Sequence, residues 1–417
     1  MGMASYHRAR RGGLAHEEGE MAEETTRSGM WQPGGFVTGR NAAFDYLRSF
    51  AILLVLLHHA VLAYVTFGYL NPADPMATFS PIVDGAKWAG FDRIALVNDT
   101  FFMPLLFLVS GLFVWASLRR RGVLSFLLNR LKRLGIPFVV VLVALIPLAY
   151  FPTVLEIKLV YGTGPGLGQF WLDFFRGGMT HPGPLWFVWL LFAFDLLVAL
   201  AYAAFSRLRG RLDRFTKPLL ENGVVFALAL FGLSVAAYIP MSDAFGPSRW
   251  MGIGPFQVQI SRVFVYLLYF LAGVAIGARG LERSVVRRDG PFARYWWAWL
   301  ALGAGSYAGL TWIFTAAPQS PFVRYVFLAE MALVVLALTA VFLRFARKHV
   351  RALDSLSANS YGIYLLHYFV IIWLQYAVLR TGLSAGAKAM IVFFGGLALC
   401  WGSIAALRRI SAVRRII

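Results

Sequence analysis

Residues 47–60 read LRSFAILLVLLHHA, and the apolar run continues to Phe67. One cation, Arg48, and two adjacent imidazoles, His58 and His59, border an otherwise greasy segment. About 20 such residues suffice to cross a bilayer as a helix. The rest of the chain repeats the pattern. Of its 417 residues, 59% are hydrophobic and only 14% charged, against roughly 25% charged in soluble domains. Comparable runs lie near 46–67, 98–118, 134–155, 185–205, 222–241, 261–278, 296–316, 323–343, 360–379 and 388–407. They predict an all-α polytopic membrane protein, a bundle of about ten transmembrane helices. Pro104, Pro137 and Pro147 fall inside these runs, as membrane helices allow when neighbours satisfy the freed backbone.

The formal charge of +19 would suit a nucleic-acid binder, but its placement argues otherwise. The segment up to Arg48, the loops 119–133, 207–217, 279–294 and 344–351, and the C-terminal end hold 30 of the 39 Lys and Arg residues. Alternating basic loops are the positive-inside signature, with both termini cytoplasmic and no nucleic-acid partner. Gripping an anionic cofactor is a further role open to one or two of these runs. The expected organisation is a disordered cytoplasmic tail at 1–39 with no signal-peptide core, a transmembrane domain at 40–407 and a basic cytoplasmic tail at 408–417. Cys400, the single cysteine, excludes an internal disulfide and a cysteine metal site. The longer loops between the first and second, and the third and fourth, runs are rich in Gly, Pro and aromatics, suited to shape an extracytoplasmic opening.

Ionisable residues inside a span are costly and face a cavity or a partner. Arg48 and His59 are 11 residues apart, which returns them to within roughly 20° of one helix face and separates them by about 16 Å. Asp45 shares that face, placing Asp45 and Arg48 at the cytoplasmic mouth and His59 past the midplane. His58 points roughly 100° away. These groups either satisfy one another or perform chemistry, with imidazole as a general base and Arg48 on a phosphate. Ser110 and Gly111 either allow close helix packing or touch substrate. Arg130 and Arg133 either anchor the third run or hold phosphate. Trp186 reads as an interfacial belt residue or a substrate contact. Asp195, mid-run, needs a partner. Glu330 is structural or tunes a base. Ser360, Tyr364 and His367 share one face of the ninth run, with His367 an interior hydrogen-bonded residue or a substrate contact. The histidines lack metal-ligand spacing, so no metal is expected.

Several of these segments also carry a family likeness. RNAAFDYLRSFAILLVLLHHA resembles the signature of the acyltransferase 3 family, an arginine followed after ten residues by a histidine, matched here by Arg48 and His59. FLVSG at 107–111, RLKRLGIP at 130–137, LWFVWLLF at 185–192 and SANSYGIYLLH at 357–367 resemble further elements of that family in order, so the likeness covers about residues 40–407. It implies transfer of an acyl group, often acetyl, from cytoplasmic acyl-CoA to a hydroxyl of a glycan or other exported acceptor, in a bacterial plasma (inner) membrane. His59 would be the base, with Ser110, Tyr364 and His367 as candidate oxyanion donors and Glu330 orienting a histidine or the acceptor. Arg48, Arg130 and Arg133 would hold the CoA phosphates, and Asp45, His58, Tyr364 and Trp186 would line the substrate path. Membrane lipid, a homo-oligomer or a separate acceptor-handling protein are the expected partners. His58 beside His59 departs from the simplest form of the motif. A transporter of a polar or lipid-linked substrate, and a noncatalytic sensor, are the rival classes.

Overall fold

The computed structural model describes residues 41–204 and 217–417. The expected tail at 1–39 and all but Lys217 of the basic run at 207–217 lie outside the described residues. In chain order the main elements are α1 (Ala42–Leu62), α2 (Ala89–Arg121), α3 (Val123–Tyr161), α4 (Leu167–Arg176), α5 (Gly183–Ala204), α6 (Gly223–Phe245), β1 (Trp250–Ile253), β2 (Phe256–Gln259), α7 (Ile260–Arg279), α8 (Trp296–Ala316), α9 (Val323–Phe345), α10 (Arg351–Val378) and α11 (Ala385–Leu407). All of these helices except α4 and α8 are long and apolar enough to cross a membrane, nine among the described residues. α8 covers the expected span 296–316 but, with its Trp, Tyr, Ser and Gly residues, is not among those nine. It packs along α9, with Gly303 against Ala337. Three expected spans, the second, third and ninth, begin too late: α2, α3 and α10 start at 89, 123 and 351, against the expected 98, 134 and 360. α2 reaches back to Ala89 because its polar first turns are tied down, Asp92 accepting from the Thr66 amide at 2.8 Å and from its hydroxyl at 2.6 Å. The loop expected between the third and fourth runs contains the amphipathic α4.

Close helix contact is set by glycine. A Cβ on Gly111 would lie 2.2 Å from the Phe270 carbonyl oxygen, and Cβ atoms on Gly273 and Gly277 would lie 2.1 and 2.0 Å from the carbonyls of Leu108 and Leu112. The backbones of α2 and α7 therefore touch, the small-residue packing that lets membrane helices approach without a hydrophobic drive. Ser110, half-buried, stands beside this crossing.

α3 is irregular, with π-helical turns at Leu131–Gly135 and Val141–Leu145. Two of its prolines, Pro137 and Pro152, have no N–H for the carbonyls four residues back. α10 supplies the missing donors: the Tyr361 hydroxyl bonds the Arg133 carbonyl at 2.7 Å, and the Trp373 indole bonds the Leu148 carbonyl at 2.9 Å. Proline in α3 thus fixes the alignment of α3 with α10. α1 also lies along α10. The Ser357 hydroxyl donates to the Asp45 carbonyl at 3.3 Å near one end, and the Gln375 amide donates to the His59 carbonyl at 2.8 Å towards the other.

The two ends of the bundle differ in charge. One end gathers Arg48, Arg119, Arg120, Arg121, Arg130, Arg133, Arg279, Arg344 and Arg408, with contacts such as Tyr46 to Asp354 (2.8 Å) and Arg347 to Asp289 (3.1 Å). Arg408 caps the Ala358 carbonyl, so the expected C-terminal tail begins docked. The opposite end is closed by the loop 63–88, the α3–α5 connection and the β1–β2 hairpin. Here Lys388 of α11 pairs with Asp84 at 2.7 Å, both side chains at most 3% exposed, and also donates to the Leu379 carbonyl. Glu156 accepts from the Val83 amide at 3.2 Å.

Candidate active site

α1 is continuous from Ala42 to Leu62, so the helical register of Arg48 and His59 holds. Ala51, Ile52 and Val55 between them are buried. The two histidines diverge. The His58 ring packs against Phe102 of α2, centroids 5.3 Å apart, and feels the charge of Asp99. The His59 ring turns to α10, with centroids 5.2 Å from His367 and 5.1 Å from Tyr368. His58 and His59 themselves meet edge-on at 5.4 Å. One helix therefore presents two imidazoles to two different neighbours, both inside the bundle.

His367 is buried. Its Nδ1 meets the Tyr364 carbonyl. A carbonyl only accepts, so Nδ1 carries the hydrogen and Nε2 is left as a lone-pair acceptor. That Nε2 is buried without a hydrogen-bond partner among the described residues. Tyr368 continues the cluster, its hydroxyl donating to that of Tyr150 at 3.3 Å. Tyr364, on the same face, donates its hydroxyl to the Pro184 carbonyl and packs edge-on against Phe187 at 5.6 Å. Its donor is thus committed to anchoring the start of α5. Trp186, half-buried, stacks on Tyr266 at 5.4 Å and meets Trp250 at 5.8 Å.

Towards the basic end, Arg48 lies 3.7 Å from Asp45, with the two side chains 39% and 17% exposed. Arg130 and Arg133 have separate fates. Arg130 pairs with the buried Asp195 of α5 at 3.1 Å and covers the Phe126 ring; this is the partner Asp195 requires. Arg133 feels the charges of Arg130, Arg48 and Arg121. The rim therefore collects four guanidiniums around two carboxylates, an excess of positive charge suited to phosphate.

Glu330 is not brought to the histidine pair. It is buried on α9, accepts from the Thr100 hydroxyl, and neighbours Tyr269 of α7. Sequence reading overlooked Asp99 and Arg262. Arg262 pairs with the Asp99 carboxylate at 2.7 Å, bonds its carbonyl at 3.0 Å, and lies over the Phe327 ring at 5.1 Å. Asp99 was hidden because the second run was expected to start at 98, leaving it at a span edge; in α2 it lies well inside. Tyr150 and Tyr368 were missed as ordinary aromatics, although Tyr368 directly follows His367. Among the described residues no three His, Cys, Asp or Glu side chains converge as a metal-binding group.

A family model described as an acyltransferase domain, that of the acyltransferase 3 family, matches residues 41–407. No curated protein and no solved structure matches the chain significantly.

Proposed function

The chain belongs to the acyltransferase 3 family, and from that premise we propose that it moves an acetyl or related acyl group from acyl-CoA to a hydroxyl of a glycan or other exported acceptor, with His59 as general base. The match and the nine apolar helices among the described residues make it a membrane acyltransferase. The observation that carries the finer reading is the pairing of His59 with His367, whose Nδ1 is committed to a backbone carbonyl and whose Nε2 is an open acceptor.

In this reading the basic end faces the cytoplasm, as the positive-inside rule requires, and both termini lie there. The membrane is the bacterial inner membrane. The CoA phosphates rest on Arg133 and Arg48, with Arg130 contributing through its charge while it holds Asp195. The rise of α1 puts His59 about 16 Å further in, a distance the extended pantetheine arm spans. The acceptor hydroxyl enters from the opposite end. Its oxygen forms a bond to the thioester carbonyl carbon as His59 takes its proton. The carbon–sulfur bond then breaks, and the thiolate leaves as CoA thiol after recovering that proton from His59. His367 Nε2 accepts a hydrogen bond from a second acceptor hydroxyl and so positions the sugar. With the Tyr364 hydroxyl committed to Pro184, Ser110 is the oxyanion donor in this reading. Asp45, His58 and Trp186 border the substrate path. Glu330 belongs to a separate polar cluster and supports the fold.

Labelled acetyl-CoA supplied to purified protein with a panel of hydroxylated acceptors tests this. Release of CoA thiol that depends on acceptor, and its loss in His59→Ala, is expected. Movement of substrate with no CoA consumed identifies a transporter instead, and wild-type turnover in His59→Ala removes His59 as base.

A further inference from the structure

At the end opposite the arginine rim, a cavity of about 870 Å³ opens between the loop 63–88 and the α3–α5 connection. That volume falls within the range of small-molecule sites, roughly 300–1,000 Å³. Its wall is built by α4, which turns Phe170 and Phe174 inward at the four-residue spacing of one helix face and leaves Leu167 and Leu172 exposed. Tyr161 adds a third aromatic ring, and Asp74, Asp173 and His181 supply polar atoms. Among the described residues no Lys or Arg lines it. Asp173 also receives Gln169 at 2.8 Å and Arg176 at 3.4 Å from its own helix, outside the lining.

The cavity is joined to the histidine pair by contiguous rings. His181 at its border lies 6.5 Å from Tyr150 between centroids. Tyr150 lies 5.8 Å from Tyr368, and Tyr368 lies 5.1 Å from His59. Aromatic faces beside carboxylates suit a polyhydroxylated ring, whose C–H face stacks while its hydroxyls donate to Asp. With Arg176 on Asp173, the lining keeps a net excess of one carboxylate, which opposes an anion.

We propose that this cavity is the acceptor vestibule, holding a saccharide that carries no negative charge and feeding its hydroxyl past Tyr150 and Tyr368 to His59. The assignment rests on the acyl-transfer reading above. The chain's one native cysteine, Cys400, is fully buried, so a cysteine introduced by Ala73→Cys in the cavity wall can be blocked selectively with a bulky maleimide. In the full-length protein, blocking is expected to lower acetyl transfer to maltotriose at least tenfold against the unblocked variant, with acetyl-CoA affinity held within twofold. Among unblocked reactions, maltotriose and a glucosamine trimer are expected to exceed trigalacturonate at least tenfold. Undiminished transfer after blocking, or trigalacturonate accepted equally well, overturns the vestibule. Acetyl-CoA bound normally but no saccharide acetylated overturns the saccharide assignment alone. Failure of the unblocked protein to bind acetyl-CoA overturns the acyl-transfer reading beneath it.

Discussion

Two buried polar groupings, built from the same kinds of long-range contact, differ in one respect. Lys388 and Asp84 form a closed pair: 2.7 Å apart, almost fully buried, with the ammonium also bonding the Leu379 carbonyl. The grouping of His59 and His367 is open, because Nε2 of His367 has no hydrogen-bond partner among the described residues. A closed pair ties α11 to the loop 63–88. In the acyl-transfer reading proposed above, the unfinished one, fixed by the Tyr364 carbonyl, is where a ligand completes the set. The same contrast separates the neighbouring arginines: Arg130 is compensated by Asp195, whereas the charges acting on Arg133 are those of other arginines and Tyr361.

Removing each grouping in turn separates a closed pair from an open one. His59→Ala is expected to reduce acyl transfer by about 10²–10⁴-fold, the usual contribution of a general base, while thermal unfolding in detergent stays near wild type. Lys388→Met should do the reverse. Stranding the Asp84 carboxylate costs about 3–5 kcal/mol, read as a lowered unfolding temperature, and Lys388→Met with Asp84→Leu should recover most of it. Equal stability of the single and double variants would show that the pair is not closed in the membrane.

The arginines allow a finer test. Arg133→Ala is expected to raise KM for acyl-CoA about tenfold, the loss of one charge-assisted contact, with kcat within threefold. Arg130→Ala should instead lower stability by uncovering Asp195. Equivalent kinetic effects from the two would erase the distinction drawn between them. The smallest effect concerns His181, in the connection outside the spans. Burial holds its imidazole below the usual histidine pKa of 6.5, against a weaker opposing pull from Asp74. The unfolded chain therefore binds that proton first, and stability should fall as pH drops from about 6.5 through the lowered value. His181→Gln should flatten this part of an unfolding-temperature profile against pH; an unchanged slope assigns it elsewhere.

Much of this architecture was legible in the chain. Each of the ten apolar runs became a helix, and Arg48, eleven residues before His59 on one face of α1, needed only helical periodicity. Glycine at 111 announced a close crossing, and α7 supplied the partner at Gly273 and Gly277. Span edges were less readable. The polar start of α2 looked like loop, which hid Asp99, because hydropathy cannot register a turn held by Asp92 and Thr66. α4 went unseen since a ten-residue amphipathic helix carries too little apolar length to stand out.

What the sequence determined by itself was local: which segments are helical, which end of the bundle is basic, and the register linking Arg48 to His59, all set by spacing within a few turns. Partnerships were decided only in three dimensions. That His59 meets His367 while His58 turns to Phe102, that Asp195 is matched by Arg130, and that Tyr361 closes the carbonyl freed by Pro137 are contacts across long stretches of chain. Their physical cause is the demand that polar atoms within an apolar bundle find partners. Where a partner exists depends on which helices lie side by side, a property no single helix contains.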